Sequence, residues 1–169
     1  MQQNVIKSAM HNGLIMGVLF SINFLLSIQK NSLSILLSYF VMAAIIILSY
    51  RTTLQYRDGE CNGEISFRHA MSFILFTFFF AGMISSLVKY IYFQYVNTQA
   101  LTMLMTESLK QMETLNLDIQ TKDAAKFTST KPASFAIQYI WVNVIAGLFI
   151  GSIMALFIKK EIVTKAENE

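Results

Sequence analysis

The chain has 169 residues, of which 54% are hydrophobic and 14% charged, with a net charge of +3. Soluble domains carry about a quarter charged residues, so this composition points to lipid, and no run of Lys or Arg supplies a nucleic-acid footprint. One cysteine, Cys61, excludes an internal disulfide.

A helix needs ~20 apolar residues to cross the ~30 Å hydrocarbon core of a bilayer. Residues 9–28 form the first such segment, preceded by Lys7 and followed by no small-x-small cleavage site, so it reads as a retained span and not a leader. Residues 32–50 form the second. Only residues 29–31 separate the two, which makes them a tight antiparallel hairpin. The third and fourth segments, 70–96 and 133–158, are longer than a bilayer requires. Tyr90, Tyr92, Tyr95, Tyr139 and Trp141 would form one aromatic belt, with Lys89 snorkelling to the same interface along its aliphatic stem. The fold class is therefore an all-α membrane protein with four transmembrane helices in a single domain spanning residues 1–169.

Residues 97–131 form a polar excursion between spans three and four. Leu101, Leu104, Met105, Leu109, Met112, Leu115 and Ile119 recur at three- and four-residue steps, the pattern of an amphipathic helix. Charges of both signs occupy its other face, so attraction to anionic lipid is weak and packing against protein is favoured. The helix is expected to end near residues 127–130, with Pro132 opening the fourth span. Basic residues set orientation. The two tails and the 51–69 loop hold Lys7, Arg51, Arg57, Arg68, Lys159, Lys160 and Lys165; the opposite side holds Lys30, Lys89, Lys110, Lys122, Lys126 and Lys131. Arg51, Arg68, Lys159 and Lys160 abut span ends, which favours both termini in the cytoplasm and makes Arg51 an interface anchor beside Lys89, Tyr92 and Trp141.

Small residues recur every four positions inside the spans. The rows are Ala9, Gly13, Gly17, Ser21 in the first; Ala81, Ser85 and Gly82, Ser86 in the third; and Asn143, Gly147, Gly151, Ala155 in the fourth. Lipid removes the hydrophobic drive for helix association, leaving close backbone approach and interhelical hydrogen bonds. These faces pack either within one chain or between two copies; their presence on three helices favours the first. Asn23 and Asn143 are expected to bond across helices. No Asp or Glu lies within a span, which argues against ion-coupled transport.

The 51–69 loop is the most crowded stretch chemically. Asp58-Gly59 and Asn62-Gly63 read as turns and Ser66 as an N-cap. His11, Cys61 and His69 share one side of the membrane, but their spacing matches no ligand or nucleophile motif. No metal, cofactor or catalytic residue is expected.

Three stretches carry a family resemblance: Gly13-Leu-Ile-Met-Gly17; Ile65-Ser-Phe-Arg-His-Ala70 leading to Ala81-Gly-Met-Ile-Ser-Ser-Leu87 and Lys89-Tyr-Ile-Tyr-Phe93; and Gly147-Leu-Phe-Ile-Gly151 with Ile158-Lys-Lys160. In this order they resemble the bacterial inner-membrane family catalogued as domain of unknown function 4199. That resemblance implies no established activity, and an accessory role for lipid-linked sugars beside glycosyltransferases acting on polyprenyl phosphate. Family members tend to carry Pro after the third span; Asn97-Thr98 departs from this, so the third helix is expected to run unbroken into the excursion. The leading expectation is a non-enzymatic accessory or scaffold subunit that contacts the lipid bilayer and a membrane protein partner or a second copy. The alternative is a protein that handles lipid or polyprenyl-linked sugar, as an accessory or a flippase.

Overall fold

A computed structural model describes residues 2–29, 31–114 and 131–160. The described chain is all-helical: α1 (Gln2–Ile28), α2 (Ser32–Glu60), α3 (Phe67–Ile91), a π-helical turn (Tyr92–Val96), α4 (Thr98–Thr114) and α5 (Pro132–Ile158). Four helices are long and apolar enough to cross a membrane, over Val5–Ile28, Ser32–Glu60, Phe67–Val96 and Pro132–Ile158. Helix α4 lies between the third and fourth of them. The absence of Pro from the helix interiors, with Pro132 at the first position of α5, and the length of each apolar run explain this economy. In lipid, a backbone has no water to bond and must satisfy itself within one helix.

Polar side chains within the spans follow the same rule. Ser21 donates to the Gly17 carbonyl at 2.7 Å, Thr53 to Ser49 at 2.8 Å, Thr77 to Phe73 at 2.8 Å and Ser152 to Leu148 at 2.6 Å. Each hydroxyl is thus consumed by its own helix.

The chain divides into two compact units. The first comprises residues 1–85 and 140–169, and α3 is its central helix. One row of α3 meets α1: a Cβ added at Gly13 would stand 2.6 Å from Phe80 Cβ and 2.9 Å from the Thr77 carbonyl, and one at Gly17 would stand 2.7 Å from Ile84 Cβ. A second row meets α5: Gly147 is pressed against Phe78, Gly151 against Met71 and Ile74, and Gly82 against Asn143. Helix α2 joins through Tyr56, which stacks on Phe73 with centroids 4.2 Å apart and planes 10° apart. It is the least enclosed of the four spans. Its outward side chains, among them Leu36, Tyr39, Phe40 and Ile47, are exposed.

The connections follow from local chemistry. Asn31 caps α2 by accepting from the Leu33 amide, and Ser34 donates to the Gln29 side chain, closing the α1–α2 hairpin. Helix α2 runs ten residues past the expected span end, so Asp58-Gly59 is helical and not a turn. The reversal comes instead at Asn62 and Gly63, with φ of 54° and 82°. Asn and Gly are the residues that tolerate this left-handed region. Ser66 accepts from the His69 amide at 3.4 Å at the start of α3, in the N-cap role.

The second unit comprises residues 86–139. Here α3 does not continue unbroken into the excursion. The π turn ends at Asn97, whose backbone leaves helical space (φ −146°, ψ 89°). Asn97 Oδ1 then accepts from the Ala100 amide at 3.0 Å and starts α4 as an N-cap. Ala100 and Leu101 are buried, whereas Leu104, Met105, Leu109 and Met112 are half-buried, so the predicted apolar face is enclosed mainly at its first turn. Leu115, Ile119 and the expected helix end near residues 127–130 lie outside the described residues, as does Lys30. Phe93 is fully buried and meets the Phe135 ring edge-on at 5.3 Å.

Candidate functional site

The chemically richest region of the first unit is where α1 begins, α2 ends and α3 begins. Its framework is a buried face of α2 with an unusual composition for a span: Ile45, Ser49, Thr52, Thr53 and Tyr56 at three- and four-residue steps. Tyr56 anchors it. Its ring lies on Phe73 and its hydroxyl pairs with His69 Nε2 at 2.9 Å. Two clamps hold the neighbouring loop. Ile65 and Lys160 exchange backbone hydrogen bonds at 2.9 and 3.0 Å, and Arg57 Nη1 donates to the Ile158 carbonyl at 3.3 Å. The second satisfies a carbonyl at the end of α5 that has no partner within its helix, with the favourable charge for that terminus.

Two cavities flank the first turns of α1. The more polar one, about 570 Å³, is lined by Lys7, Ser8, His11, Gln55, Tyr56 and Glu60, among others. Ser8 Oγ donates to Glu60 Oε1 across it, tying α1 to α2. The second, about 540 Å³, is more apolar and is lined by Val5, Ile6 and Phe76 together with Ser66, Arg68, His69 and Ser72. The Tyr56–His69 hydrogen bond links the two, since Tyr56 lines the first cavity and His69 the second. Both volumes fall in the ~300–1,000 Å³ range of small-molecule sites.

The residues singled out in the sequence are thus distributed unevenly. His11 and His69 line different cavities, while Cys61 ends α2 as its C-cap. Burial pushes the Cys61 thiol above its ordinary range, because the thiolate loses hydration. Among the described residues, no three His, Cys, Asp or Glu side chains stand close enough to hold a metal ion. The helix-packing residues Gly13, Gly17, Gly82, Asn143, Gly147 and Gly151 all lie at contacts within one chain. The Asn23 Oδ1 has no hydrogen-bond partner among the described residues, nor does the Oγ of buried Ser86.

The interface anchors also separate. Trp141 is 63% exposed and Arg51 is exposed. Lys89 is not extended outward. It is only 2% exposed, and its Nζ sits 3.9 Å from the centroid of the Tyr139 ring, a cation–π contact. The physical reason is that an aromatic face offers the ammonium electrostatic stabilisation inside protein, where snorkelling would require a clear route outward. Tyr92 is half-buried and meets Phe93 edge-on at 5.6 Å.

Tyr56, Glu60, Val5, Ile6 and Phe76 had not been singled out. The signal for Tyr56 was present, because Ser49, Thr52, Thr53 and Tyr56 share one helical face once α2 is extended to Glu60. The cavities themselves had none, being formed by residues about 60 positions apart.

A family model described as "Protein of unknown function (DUF4199)" matches residues 11–160. The chain belongs to this family. The match takes in the second, third and fourth candidate spans of the DUF4199 protein entirely and the first from residue 11 onward, and it agrees with the motif order in the sequence. No curated protein and no solved structure matches the chain.

Proposed function

We propose that this DUF4199 protein is a non-enzymatic accessory or scaffold subunit of the bacterial inner membrane, with both termini cytoplasmic, that binds a membrane protein partner. The observation that supports this reading best is the closure of the first unit: α1 and α5 approach α3 so closely at Gly13, Gly17 and Gly147 that an added methyl group would clash. Helices in such contact leave no substrate path between them. The spans also hold no Asp or Glu over residues 9–28, 32–50, 70–96 and 133–158, so coupling groups of the usual kind are missing. Recognition then falls to the ends of the helices. The backbone pairing of Ile65 with Lys160 and the Arg57–Ile158 clamp hold one such end rigid, which lowers the entropy lost when a partner docks.

The test is native purification from the producing membrane after mild crosslinking. A membrane protein recovered in fixed ratio is the expected result; recovery of the chain alone would remove the proposal. The second reading, handling of lipid or polyprenyl-linked sugar, is favoured by the polar cavity of Lys7, His11, Gln55 and Glu60, whose groups suit a hydroxylated headgroup. It gains if a sugar-lipid copurifies without a protein partner.

A further inference from the structure

We propose that the cavity between the starts of α1 and α3 is a binding site for one anionic phospholipid, with Arg68 holding the phosphate. The inference does not depend on the subunit reading, since it concerns a site that any role of the protein would retain.

Three observations support it. First, the cavity lining combines two chemistries, the apolar Val5, Ile6 and Phe76 and the polar Ser66, Arg68, His69 and Ser72. A ligand that satisfies both has an apolar tail and a polar head. Second, the polar part of the lining is cationic. No carboxylate is among its described lining residues, and no described residue pairs with the Arg68 guanidinium. Arg presents forked donors that match phosphate oxygens, and a phosphate bound there receives charge-assisted hydrogen bonds. The Ser66 and Ser72 hydroxyls flank it, although Ser66 also caps α3 and Ser72 donates to the Arg68 carbonyl. Where the Tyr56 hydroxyl donates to His69 Nε2, the neutral ring keeps its proton on Nδ1 and offers a further donor.

Third, the cavity stands at the right place along the chain. Arg68 and His69 immediately precede the apolar run 70–96, and Val5 and Ile6 precede the run 9–28, so the lining residues sit at the ends of two candidate spans, where hydrocarbon gives way to headgroups. Its apolar lining residues Ile6 and Phe76 are exposed, which leaves them open to an acyl chain. A free phosphate ion would leave those apolar residues unused.

The test is native mass spectrometry of delipidated full-length protein titrated with phosphatidylglycerol, with phosphatidylcholine and with inorganic phosphate. One phosphatidylglycerol should be retained in preference to phosphatidylcholine. R68Q should weaken it roughly tenfold or more, the loss expected for a hydrogen-bonded charge. R68K should recover part of the affinity, and K159Q, which removes an exposed cation outside the cavity, should change nothing. I6N should weaken phosphatidylglycerol while leaving the protein folded, judged by its elution in detergent. Equal retention of both lipids, full binding by R68Q, or displacement of the lipid by inorganic phosphate at equal concentration would each overturn the assignment.

Discussion

At the scale of single residues, glycine has opposite meanings at two places in this chain. Gly13 sits where two backbones nearly touch, and a methyl group there would press on the Thr77 carbonyl, which cannot swing aside as a side chain can. Gly59 lies in the last turn of α2 with nothing within 4 Å of an added Cβ. The same substitution should therefore have opposite signs. Gly13→Ala is expected to cost about 1–3 kcal/mol through overpacking. Gly59→Ala should stabilise by about 0.4–1 kcal/mol, because alanine restricts the unfolded chain and favours the helix. Thermal unfolding in one detergent, followed for both variants, decides the matter; equal shifts would mean that the α1–α3 contact is looser than described. Ser21, Thr53, Thr77 and Ser152 spend their hydroxyls on their own helices and so sit in a span without demanding partners, whereas Ser8 and Ser34 reach across to Glu60 and Gln29.

At the scale of elements, the break at Asn97 separates α4 from α3. The sequence 92–98 contains neither Pro nor Gly, which is why an unbroken helix was expected there. What ends the helix is the wider π turn, together with a capping side chain that offers the next helix a start. Asn97→Ala should remove that cap at a cost of about 0.5–2 kcal/mol. Hydrogen exchange over residues 98–103 is the appropriate measurement, since the effect belongs to one helix end. Faster exchange confined to that stretch is expected, and unchanged exchange would show that packing of Leu101 alone holds the start of α4. A similar substitution of structure for composition occurs in α2. Asp58-Gly59 has turn chemistry, yet the helix persists because Thr52, Thr53 and Tyr56 continue its buried face, and Tyr56 reaches both Phe73 and His69.

At the scale of the whole molecule, Cys61 gives a direct measure of orientation, because it is the chain's one cysteine and lies between the second and third spans. If both termini are cytoplasmic, a membrane-impermeant maleimide should leave intact cells unlabelled and label the protein after permeabilisation. Labelling of intact cells would invert the proposed topology. The reaction should also carry a pH signature. Burial raises the thiol pKa, so the reactive thiolate is scarcer near neutral pH than in a free cysteine. The rate should rise as pH climbs toward the raised value and level off above it, about tenfold per unit on the way. A rate already saturated near neutral pH would contradict the partly buried position.

Four spans, the short hairpin between the first two, the family and the small-residue faces were all legible in the sequence. Each rests on a local property: hydrophobic run length, loop length, motif order, or residue size at helical spacing. Which faces met was not legible, because every span carries a similar apolar surface and lipid rewards none of them over another. The tertiary structure decided that α3 is central, with one row closed by Gly13 and Gly17 and another by Gly147 and Gly151. It also decided that Lys89 turns to Tyr139, and that Tyr56 and His69 join two cavities. These depend on close approach between residues distant in sequence, and steric fit at such a contact exists only once the helices have packed.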